Sequence, residues 1–145
     1  DFFPLFYIDF SCNFSYSSLT GHCHAQVYRK EKYMKKFTYP LSDNDIQTLM
    51  DALAVMVNVI PDSDLFPPET IDLALFYSEQ IVETFSSHNT NISRNMLQTL
   101  YMALTVADGI ISGDIPADEE SKKICQNSVF GILKLLPVFD EYFGA

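Results

Sequence analysis

Hydrophobic spacing along the chain changes character near residue 42. Downstream, apolar residues recur every three to four positions, as on one face of an α-helix. In residues 42–60 they fall at Ile46, Leu49, Met50, Leu53, Ala54, Val57 and Ile60. Ser42 or Asp43 can cap this helix, Asp45 sits in its first turn and Pro61 closes it. A second helix is expected over 69–85, with Ile71, Ala74, Leu75, Ile81, Val82 and Phe85 in its stripe and Ser78 filling a gap. Leu73, Phe76 and Tyr77 widen that surface, so this helix is expected to have neighbours on two sides. A third, over 93–108, presents Met96, Leu97, Leu100, Tyr101, Leu104 and Ala107. A fourth starts near 116–121 and presents Ile124, Cys125, Val129, Ile132, Leu133 and Leu136. Pro137 kinks or ends it, which leaves 138–145 as an apolar tail carrying Phe139, Tyr142 and Phe143.

Upstream, the pattern is different. Residues 1–10 are aromatic, interrupted by Pro4, and read as extended. Ser-, Asn- and Gly-rich residues 11–22 form a loop. In 22–29, Cys23, Ala25 and Val27 alternate with His24, Gln26 and Tyr28, the period of a strand, and 33–40 is a third strand candidate. The fold class expected is therefore mainly α with a small β portion. About four amphipathic helices in an antiparallel bundle or stacked hairpins follow two or three short strands. Two domains are expected: residues 1–40, which complete a sheet here or belong to an upstream domain, and an acidic helical domain over 41–145.

Charge sharpens this division. Of the 145 residues, 9 are Lys or Arg and 19 Asp or Glu, a net charge of −10. Residues 1–40 carry five basic and three acidic groups, and residues 41–145 four basic and sixteen acidic. So acidic a body repels phosphate backbones, which argues against a nucleic-acid partner. The basic run over 29–36 reads as a solvated strand edge blunted by lysine. No apolar run reaches the length of a membrane-spanning helix. The chain opens on Asp1 instead of Met, so its native start is expected to have been removed.

Candidate chemistry is sparse. Cys12 and Cys23 flank a loop and read as a disulfide, with free thiols or a metal cluster with His22 and His24 as alternatives. The metal reading suffers because His22 and His24 point to the face of a strand opposite Cys23. Cys125 falls on the fourth helix's apolar stripe and reads as a buried, inert thiol. Sequons place N-glycosylation at Asn13 and Asn91. Residues 108–119 align in part with a helix–loop–helix calcium loop. Asp108, Ser112, Asp114 and Glu119 are oxygen donors and Gly113 is the turn glycine, but Ile110 stands where a ligand belongs. No phosphate loop, dinucleotide fingerprint or nucleophile elbow occurs, and no catalytic set, resident cofactor or metal is expected.

Leu49-Met50-Asp51-Ala52-Leu53 and the run from Leu97 to Leu104 carry a resemblance at the level of pattern. A short β region, acidic helical hairpins and sequons together resemble the helical part of large receptor ectodomains. These include polycystin and egg-jelly-receptor-like proteins and the helical subdomain of GAIN domains in adhesion receptors. The resemblance implies no cleavage chemistry, because the autoproteolysis motif of the His-Leu-Thr/Ser type is missing. The function expected is a non-enzymatic structural or protein-interaction module of an extracellular or secreted protein. It would dock on neighbouring domains or copies, with Phe139, Tyr142 and Phe143 as anchors. The alternative is an intracellular, cytoplasmic helical domain that binds a small ligand, or calcium through 108–119.

Overall fold

Helix ends in this chain are fixed by residues that satisfy the orphan backbone groups. The computed structural model describes residues 36–89 and 91–144. It divides the chain into a unit Asp1–Thr38 and a unit Tyr39–Ala145. Five helices make up the second unit: α1 (Asp43–Val59), α2 (Pro68–Ser86), α3 (Arg94–Ser112), α4 (Glu119–Asn127) and α5 (Val129–Phe143).

A capping box opens α1. The Asp45 N–H donates to Ser42 Oγ at 3.1 Å and the Ser42 N–H donates to Asp45 Oδ2 at 3.0 Å. A 3₁₀ turn, Ile60–Asp62, carries the chain off its end. Pro68 occupies the first position of α2, where no donor is needed. Ser93 caps α3 by accepting from the Met96 N–H at 3.2 Å, and Gly113 ends it with φ +87°. Asp118 caps α4 by accepting from the Ser121 N–H at 3.3 Å.

The hub of the domain is α3, which packs against all four other helices. Its residues Met96, Leu97, Leu100, Met102, Ala103, Leu104, Val106 and Ala107 are buried on every side, together with Gln98 and Thr99. A helix apolar all round belongs inside, and this one does. The Thr99 hydroxyl donates back to the Asn95 carbonyl at 3.0 Å. Every buried side-chain nitrogen and oxygen among the described residues has a hydrogen-bond partner.

Polar ties fix α1 against the C-terminal helices. Asn58 donates to Asp118 Oδ1 and to Ser121 Oγ, each at 3.1 Å, and the Ser128 hydroxyl donates to Asp51 Oδ2 at 2.8 Å. Lys134 reaches Asp45 Oδ1 at 3.0 Å. Burial acts to raise the Asp45 pKa, but the Ser42 N–H, the Lys134 ammonium and the Ser42 hydroxyl together outweigh it and hold the carboxyl below its ordinary 3.8.

Four expectations change. The mainly helical class stands, but there are five helices, because the expected fourth is broken at Ser128 (φ −105°, ψ 10°). Pro137 does not end the last of them; it lies inside α5, which runs on to Phe143. Its missing N–H orphans the Leu133 carbonyl, and both residues sit on an exposed face where water can replace the bond. Residues 36–40, the described part of the third strand candidate, form no strand. The candidates over 1–10 and 22–29 lie outside the described residues. Lastly, α1 buries Ala52, Val55, Met56 and Val59 besides Leu49 and Leu53, while Ala54 and Val57 are exposed. Its inward face is rotated from the predicted stripe.

Candidate functional site: an apolar groove between the first two helices

The rotation of α1 leaves part of its apolar surface without a neighbour. Met50, Leu53, Ala54 and Val57 form one wall of an open groove, and Leu75, Ser78 and Val82 of α2 form the other. Its volume is about 840 Å³. Leu53 and Ser78 are buried at its floor, whereas Val57 and Val82 are 38% and 41% exposed. The Ser78 hydroxyl is turned into its own helix, donating to the Ala74 carbonyl at 2.6 Å. The floor is therefore apolar in effect. Asn58, bonded to Asp118 and Ser121, sits at one end of the lining, and Glu79 and Glu83 stand exposed along the α2 side.

A second apolar patch lies on α5, where Phe130 is 85% exposed and Leu133, one turn on, is 52% exposed.

Of the three expected anchors Phe139 is buried, and Tyr142 and Phe143 are half-buried. Phe139 is fully buried, and its ring stacks on Tyr101 of α3 at a centroid distance of 6.2 Å. Phe143 stacks on the same Tyr101 at 5.1 Å, with the Arg94 guanidinium 5.8 Å from its centroid. Tyr142 meets Phe143 edge to face at 4.9 Å. The Tyr101 hydroxyl donates to Asp140. Burial first, then that hydrogen bond and the carboxylate charge, push the Tyr101 pKa well above its ordinary 10.0. The expected tail thus docks on its own domain, because α5 continues past Pro137 and carries these rings onto α3. Phe139 is core and presents no surface to a partner.

The loop after α3 is built as a helix cap. Asp108 and Ser112 are both still within α3, and the N–H groups of Asp114 and Ile115 return to the Gly109 carbonyl at 2.8 and 3.0 Å. Ser112 donates to Asp114 Oδ2 at 3.1 Å, and Glu119 opens α4, where its carboxylate lies 3.6 Å from Lys122 Nζ. Among the described residues no three His, Cys, Asp or Glu side chains are grouped to hold a metal ion. Asn91 is exposed in the α2–α3 connection, where its N–H donates to Asn89 Oδ1 at 2.9 Å. Cys125 is a buried free thiol, its pKa pushed up to about 11 by burial. Cys12, Cys23 and Asn13 lie outside the described residues.

The groove was missed because its α1 wall coincides with the stripe that periodicity assigns to the core. One signal was present: the apolar surface of α2 is wider than one face, which implies a neighbour on a second side.

By fold the described part defines a class, an all-α domain wrapped round one buried helix. No family model matches the chain, and searches of the curated proteins and of the solved structures find no match. None of its described helices is long and apolar enough to cross a membrane.

Proposed function

We propose that this chain is a non-enzymatic protein-interaction module of an extracellular protein, and that it docks its partner in the α1–α2 groove. The observation that carries the reading is the groove itself. Val57 and Val82 present apolar surface to solvent beside a floor already shaped by Leu53 and Ser78. Apolar, concave and rimmed by polar groups, it is the kind of surface that gains most from being covered. The groove would serve as the docking face in place of the C-terminal rings, and the partner would be a neighbouring domain or another protein. A photo-crosslinking residue at position 82 tests this directly: it is expected to capture a polypeptide that the same residue at position 120 does not.

The extracellular part of the proposal rests on the two sequons, on Cys12 and Cys23, and on the exposure of Asn91. Resemblance to the helical parts of receptor ectodomains points the same way. Intact mass of the chain from secreting cells, before and after deglycosylation and reduction with thiol labelling, is the test. Loss of glycan mass and the appearance of two new thiols are expected. An unmodified mass with every thiol already free would assign the chain to a reducing compartment instead.

A further inference from the structure

Between Lys36 and Arg94 the sequence contains no Lys or Arg, although both helices that form the groove lie in this interval. It contains Asp43, Asp45, Asp51, Asp62 and Asp64 on or just after α1, and Glu69, Asp72, Glu79 and Glu83 on α2. Of these, Asp45 is neutralised by Lys134. Glu79 and Glu83, one helical turn apart along the groove, are paired with no cation among the described residues. Among the described residues an apolar trough thus runs beside an acidic edge that no cation pairs.

We infer that the groove receives a cationic amphipathic helix from a partner protein, its apolar residues on the floor and its Lys or Arg side chains over Glu79 and Glu83. The inference rests on the docking function proposed above and adds the chemistry of the occupant. Three physical arguments select it. First, the walls are α-helices whose backbone groups are already bonded within each helix, so an extended peptide finds no sheet edge to pair with. An occupant must satisfy its own backbone, which a helix does. Second, from Met50 to Asn58 the wall rises eight residues, about 12 Å. That matches roughly two turns of a partner helix, room for anchors at i, i+3 or i+4, and i+7. Third, the charge is one-signed. A second copy docking through its helical part, with sixteen acidic groups against four basic, would bring the same charge to the same place, and nucleic acid is repelled for the same reason.

The test uses the full chain and designed peptides about 16 residues long, sufficient for four turns. One peptide places Leu at i, i+3, i+4 and i+7 with Lys elsewhere; a second replaces the Lys with Glu; a third scrambles the first. Binding is read by fluorescence anisotropy at two salt concentrations and mapped by methyl chemical shifts. The Leu/Lys peptide is expected to bind and to shift Leu53, Val57, Leu75 and Val82. The Leu/Glu peptide and the double variant Glu79→Lys, Glu83→Lys are each expected to lose at least tenfold in affinity. High salt should weaken the native complex more than that of the variant. Circular dichroism checks that the variant stays folded, as expected for two exposed side chains.

Equal binding of the scrambled peptide would reduce the effect to unspecific charge and overturn the inference. So would shifts confined to the Phe130–Leu133 face. If the Leu/Glu peptide binds the groove as well as the Leu/Lys peptide, the cationic partner falls while docking in the groove survives. If no peptide binds, and crosslinks from position 82 join the groove to the same chain or to a second copy, the partner helix is ruled out.

Discussion

Phe139→Ala is expected to destabilise the domain by about 3–5 kcal/mol, the range for removing a fully buried phenylalanine ring. The ring has no exposed surface and lies against Tyr101, so truncation opens a cavity at the α3–α5 contact and removes a stacked pair. Nine positions earlier on the same helix, Phe130 is 85% exposed. Phe130→Ala is expected to change stability by no more than about 0.5 kcal/mol. Urea denaturation of the two variants side by side measures the contrast. Similar losses from both would mean that α5 is rotated relative to the arrangement described here. The pair matters for function as well. It separates a ring that holds the fold together from one that is free to meet something else.

A second large effect is expected where α5 crosses α1. A Cβ on Gly131 would lie 2.8 Å from Thr48 Cγ2 and 3.0 Å from Thr48 Cβ. Rotating the threonine moves its γ atoms but not its Cβ, so the crowding cannot be relieved by a rotamer change alone. Thr48 Oγ1 is also bonded to the Asn44 carbonyl at 3.0 Å. Replacing a helical glycine by alanine ordinarily stabilises by about 1 kcal/mol. Here overpacking, which costs about 1–3 kcal/mol, opposes that gain, and Gly131→Leu is expected to lose about 2–3 kcal/mol. The diagnostic result is a sign change: Gly131→Ala is expected to be destabilising with Thr48 present and stabilising in a Thr48→Gly background, which removes the Cβ as well as the γ atoms. A double-mutant cycle by thermal or urea unfolding reads it. Strict additivity of the two changes would show that the helices do not touch there.

Much of the helical architecture was legible because local chemistry marks helix ends. Ser42 with Asp45, Ser93, and Pro68 each sit at a terminus, and α1, α2 and α3 begin within a residue or two of the predicted starts. Which way each helix faces was harder to read. Residues 49–59 of α1 include Leu49, Met50, Leu53, Ala54, Val55, Met56, Val57 and Val59, so more than one stripe fits the spacing. Only the positions of the partner helices decide that Val55 and Met56 go in and Val57 stays out. The same ambiguity hid Leu135 and Phe139 behind Leu133 and Leu136 in an almost wholly apolar α5. The break at Ser128 carried a weak signal, the polar run Gln126-Asn127-Ser128, without the Gly or Pro that announces most helix ends. Pro137 misled because a proline stops a helix only where its lost hydrogen bond cannot be replaced by water. The groove was not legible at all from one helix. It exists because α1 and α2 leave open between them surfaces that each look like core.

That last point is where function and fold meet in this protein. The hub helix α3 and the polar ties from Asn58, Asp51 and Asp45 fix α1 on one side, and its other side remains open along the groove. A rigid wall of this kind binds without having to be ordered first, which lowers the entropic cost of association. For the cationic partner proposed above, the acidic edge would add orientation and a faster encounter.

The most direct measurement compares photo-crosslinking from two exposed apolar positions of the same chain, 82 in the groove and 130 on α5, in cells that make it. Docking in the groove predicts a discrete polypeptide adduct from position 82, lost in the variant Glu79→Lys, Glu83→Lys, and no such adduct from position 130. An adduct from position 130 with none from position 82 would contradict the account and move the docking face to α5.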